Sequence, residues 1–69
     1  MTPVMLRQIW SLIEGAQATT ILSQDDPSLV EWLLSQLREQ RSLASDEVEI
    51  ISRYIQARTP LIREIAATH

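Results

Sequence analysis

The chain has 69 residues, 45% of them apolar and one of them glycine, which is the composition of a single small globular domain. Nine acidic residues against six basic ones leave a net charge of −3, so no strongly basic surface for nucleic acid is expected. Without cysteine there is neither a disulfide framework nor cysteine-ligated zinc, and a reducing compartment fits best.

The basic residues are all arginine. The opening "MTPVMLRQIW" lacks the basic segment and long apolar core of a signal peptide. No apolar run approaches the ~18 residues of a membrane span. A cytoplasmic chain without a membrane partner is the expectation. The one histidine, His69, stands last, where fraying is expected.

Taken in order, the first element starts at Thr2 as N-cap with Pro3 in the first helical position. Met5, Leu6, Ile9, Trp10, Leu12, Ile13, Ala16 and Thr20 share one face at helical spacing. Gly15 either closes this helix as the glycine after its end or is a weak spot inside it. Because Ala16 and Thr20 keep the phase, the helix is predicted to run to about residue 20. A short extended piece in the β-branched "ATTIL" is the alternative.

The segment "SQDDP" punctuates the chain. Asp26 before Pro27 reads as an N-cap and first-position pair, with Asp25 as a second carboxylate near the positive helix end. A helix over about 27–41 follows, with Leu29, Val30, Leu33, Leu34 and Leu37 as its stripe. The short connection "RSLAS" predicts an antiparallel partner, capped by Ser45 and carrying Asp46 and Glu47 in its first turn.

This last element contains Pro60. Val48, Ile51, Tyr54, Ile55, Leu61, Ile62 and Ile65 keep one helical phase on both sides of it, and Pro60 projects opposite them. The spacing therefore predicts one helix, bent around the core by the missing bond to Gln56, and not two. The alternative is a helix that stops before the proline. The expected fold is all-α: a three-helix, bundle-like domain over 1–69, with an antiparallel hairpin and a proline-kinked last helix. Its stripes exceed what a monomer of this size easily buries, so a homo-oligomer, with a dimer favoured, is expected.

Catalysis is not expected. Lysine, cysteine and internal histidine are absent, so the serines and threonines lack a His or Lys base, and one glycine cannot make a phosphate loop. Capping accounts for the acidic pair Asp25 and Asp26 without a metal. "DDPSL" departs from the Asp-Ser-Leu of carrier proteins, because Pro27 intervenes between Asp26 and Ser28. No cofactor is expected.

Two residues fit a plain bundle poorly. Trp32 sits at the rim of its stripe, either packed on the flank of the first helix or exposed as an anchor for a partner. Arg58 falls near the centre of an apolar stripe between Tyr54 and Leu61. It either lays its stem along apolar surface, or meets a carboxylate from another chain or from Glu14, Asp25 or Asp26. Trp32, Arg58, Tyr54 and Leu61 are thus the candidate partner-interface residues of a protein-interaction module. The competing reading is a small nucleic-acid-binding regulator. It is disfavoured because Arg53, Arg58 and Arg63 project in different directions.

The runs "SLVEWLLSQLREQRSL" (28–43) and "YIQARTPLIREIA" (54–66) resemble a group of short uncharacterised cyanobacterial proteins. That resemblance implies a cytoplasmic location and no known activity, and it transfers no functional residue.

Overall fold

Capping and proline placement start the helices, and burial decides where they turn. The computed structural model describes residues 2–68, so the fraying expected of His69 lies outside the described residues. Four helices follow in order: α1 (Pro3–Gly15), α2 (Ala18–Leu22), α3 (Asp26–Gln40) and α4 (Ser45–Thr68). The expected all-α bundle is present, with one helix more than the three expected.

α1 begins as read. Thr2 Oγ1 accepts the Met5 N–H at 3.2 Å, and Pro3 occupies the first turn. It does not continue to residue 20. Ala16 is extended (φ −78°, ψ 150°), and the chain re-enters a helix at Ala18. The break resets the phase. Ile21, which would leave the stripe of a continuous helix, is turned inward and is 1% exposed. Gly15 does not act through left-handed backbone, since no described glycine has positive φ. Its weak helix propensity makes it a cheap place to stop.

The α3 cap lies one residue earlier than predicted. Asp25, not Asp26, accepts the Ser28 N–H at 2.9 Å, which leaves Asp26 and Pro27 inside the first turn. Asp26 is thereby free for Arg63, 2.6 Å away. Because Asp26 opens α3 and Arg63 lies late in α4, that contact fixes the two helices as an antiparallel hairpin. At the α4 start, Ala44 takes the cap position predicted for Ser45. Its carbonyl accepts the Val48 N–H at 3.0 Å, and Glu47 reaches back to accept the Ala44 N–H at 3.0 Å. This is the acidic half of a capping box.

α4 runs unbroken through Pro60. The proline faces solvent, as does Gln56, so the carbonyl deprived of its partner lies on the wet side. The preceding residue, Thr59, is 2% exposed and donates its hydroxyl to the Ile55 carbonyl at 2.9 Å, so this buried hydroxyl is not left without a partner.

The core joins Met5, Ile9 and Ile13 of α1 with Ile21, the leucines of α3, and Ile51, Ile55, Ile62 and Ala66 of α4. It absorbs most of the apolar stripes within one chain. Among the described residues, the exposed large apolar side chains are Val4, Leu22, Ile50 and Leu61. The apolar excess behind the expectation of an oligomer is therefore reduced to particular places. No described helix is long and apolar enough to cross a membrane.

Candidate functional site

The buried positions of α4 are Ile51, Ile55, Thr59, Ile62 and Ala66. At about 100° per residue they centre about 50° away from the middle of the apolar stripe read off the sequence. The helix is rolled so that one edge of that stripe points out of the fold. Ile50 (48% exposed) and Leu61 (45%) lie on this edge, in line with half-buried Tyr54 and Ile65. Tyr54 leans on the core, whereas Ile65 is not among the side chains packed against it.

α1 holds the aromatic member of this edge. Trp10 Nε1 donates to Tyr54 Oη at 2.9 Å, and the two rings meet edge-to-face at 6.5 Å and 87°. Over the same tyrosine lies Arg58, its guanidinium carbon 5.1 Å from the ring centroid. Arg58 is exposed and meets none of Glu14, Asp25 or Asp26. Asp26, one carboxylate considered for it, is held by Arg63 instead. Of the contacts expected for Arg58, the carboxylates within the chain are thus replaced by a cation–π contact with Tyr54, because the roll of α4 carries it outward.

Three of the candidate residues, Tyr54, Arg58 and Leu61, come together on this edge. Trp32 does not join them: it is half-buried and packed against the core from α3. Sequence reasoning missed Ile50. Of the adjacent pair Ile50 and Ile51, just one can face inward on a helix, and the periodicity did identify Ile51 as that one.

The other arginines of α4 are occupied. Arg53 pairs with Glu49 one turn back at 2.7 Å. Arg63 donates to the carbonyls of Ile21 (3.2 Å) and Gln24 (2.7 Å) as well as to Asp26, and so ties the α2–α3 loop to α4. No basic face results from them.

A small crevice of about 80 Å³ borders the Ile50 end of the edge, lined by Thr2, Met5, Glu47, Ile50 and Ile51. A wider open cleft lies between Asp26, Pro27, Gln56 and Thr59. The hydroxyls and carboxylates that line them are engaged elsewhere: Thr2 and Glu47 accept backbone N–H groups, Thr59 donates to the Ile55 carbonyl and Asp26 is held by Arg63. No group of three or more His, Cys, Asp or Glu among the described residues could hold a metal ion. Among the described residues, Asp25 has a displaced pKa: hydrogen bonds from the Ser28 side chain and backbone, with a smaller pull from Arg63, hold it below its ordinary value. That is the signature of a cap, not of a catalytic carboxylate.

Comparison with known proteins finds no family model, no curated protein and no solved structure that matches the chain.

Proposed function

We propose that this chain is a non-enzymatic helical module that binds another protein chain through the outer edge of α4, with Ile50, Tyr54, Leu61 and Ile65 as apolar contacts and Arg58 at their rim. The observation that carries this reading is the line of exposed and half-exposed apolar side chains on a helix whose adjoining face is already packed. Tyrosine and arginine are the side chains that interfaces favour at their centres. Nucleic-acid binding is the weaker reading, since Arg53 and Arg63 are engaged by carboxylates and the chain carries a net charge of −3. The absence of cysteine supports a reducing, cytoplasmic location.

The test is capture from native cell extract on immobilised wild-type chain, with Leu61→Glu as the matched control. A protein retained by the wild type, lost with the variant and little affected by salt supports the reading. Equal retention by both baits, or retention of nucleic acid that collapses between ~50 and ~200 mM salt, overturns it.

A further inference from the structure

The apolar edge of α4 has an internal symmetry. Ile50 and Ile65 stand equally far from the bond between Ala57 and Arg58, and so do Tyr54 and Leu61. An edge with this spacing is complementary to itself when one copy is turned end for end. We infer that its occupant is a second copy of this chain, with the two α4 helices antiparallel about a two-fold axis beside Ala57. This deepens the proposed function and rests on it.

In that arrangement Ile65 of each copy lies opposite Ile50 of the other, and Leu61 lies opposite Tyr54. The two ends of the edge differ in the way such a pairing needs. Ile65 is free of the core cluster, while Ile50 borders the crevice that also touches Thr2, Met5 and Ile51. One end thus offers a branched aliphatic side chain and the other a recess to receive it. At the centre, exposed Ala57 is small enough for two helices to approach at the ~8–10 Å of ordinary helix packing.

The charges agree with the same orientation. Arg53, paired with Glu49 in its own chain, and Glu64 flank the edge on one side, and Glu64 has no ion pair among the described residues. End-for-end pairing sets Glu64 of each copy within about one helical turn of Arg53 of the other. The Arg58 pair nearest the axis would be a like-charge cost. Each guanidinium, however, lies back over its own Tyr54, one turn away from the axis, and in antiparallel helices the two therefore diverge. The contact covers about 22 Å of helix. That is small beside the about 800 Å² per partner of a standard interface, so the dimer dissociates in the micromolar to millimolar range.

Sedimentation over about 10 µM to 1 mM, joined to single-cysteine cross-linking, tests this. The chain has no cysteine of its own, so each introduced thiol reports alone. Ala57→Cys should cross-link to its counterpart through a short bis-maleimide, because both lie beside the axis. Thr68→Cys should not, because antiparallel helices hold those positions about 30 Å apart. Leu61→Glu and Ile65→Asp should each weaken dimerisation at least tenfold while circular dichroism stays unchanged. Efficient cross-linking at both positions means a parallel pairing and overturns the inference. So does a wild type that stays monomeric at ~1 mM. If such a monomer still captures a protein in a Leu61-dependent way, the interaction reading survives and the self-pairing does not.

Discussion

Trp10 and Tyr54, separated by 44 positions in the chain, are joined by an indole N–H to phenol hydrogen bond of 2.9 Å. The bond connects α1 to the middle of α4 beside the exposed edge. It sets the height of the tyrosine ring on which Arg58 rests.

Replacing Tyr54 by Phe should keep the ring and the Arg58 contact but leave the Trp10 N–H without its acceptor. A loss of about 0.5–1.5 kcal/mol is expected, measured by urea denaturation followed through tryptophan fluorescence. An unchanged midpoint would show that water replaces the hydroxyl at no cost.

Arg63 and Asp26 should respond very differently to substitution, although they share an ion pair at 2.6 Å. Asp26 is largely exposed, so Asp26→Asn should cost under about 1 kcal/mol. Arg63 also satisfies the carbonyls of Ile21 in α2 and Gln24 in the loop after it, and a lysine lacks the fork needed to reach all three acceptors. Arg63→Lys should therefore cost about 1.5–3 kcal/mol. Equal effects in denaturation would assign Arg63 to the ion pair alone.

Acid should weaken the start of α3. Asp25 has a folded pKa below its unfolded one, so the folded state binds fewer protons between the two values. Its contribution is fully present above the ordinary carboxylate pKa and is lost as pH falls through the lowered one. Asp25→Ser, which caps without titrating, should flatten the stability profile below about pH 4. A profile of unchanged slope would remove Asp25 from the acid response.

Gly15 makes no demand for left-handed backbone, and a Cβ built there meets nothing within 4 Å. Gly15→Ala should stabilise the fold by about 0.5–1 kcal/mol, read as a rise in melting temperature. Destabilisation would mean that the break after α1 needs the freedom of glycine.

Pro60→Ala should be tolerated and leave helix content equal or slightly higher, because the exposed site regains its bond to Gln56. Circular dichroism of the variant checks this. Loss of helix would show that the proline holds the end of α4 in place.

What the sequence by itself determined is local. Thr2–Pro3 and the "SQDDP" segment mark helix starts because capping and proline geometry act within a few residues. Unbroken phase on both sides of Pro60 favoured one helix over two, and the structure has one. The end of α1 was not legible, since Gly15 suited a stop and a pause equally; the gain from burying Ile21 decided it. Nor could the sequence show which carboxylate Arg63 would take, or that Asp25 and not Asp26 would cap. Above all, periodicity gives the width of an apolar stripe but not the direction of the core. The neighbours α1, α2 and α3 set the roll of α4, and that roll buries Thr59 while leaving Ile50 and Leu61 in water.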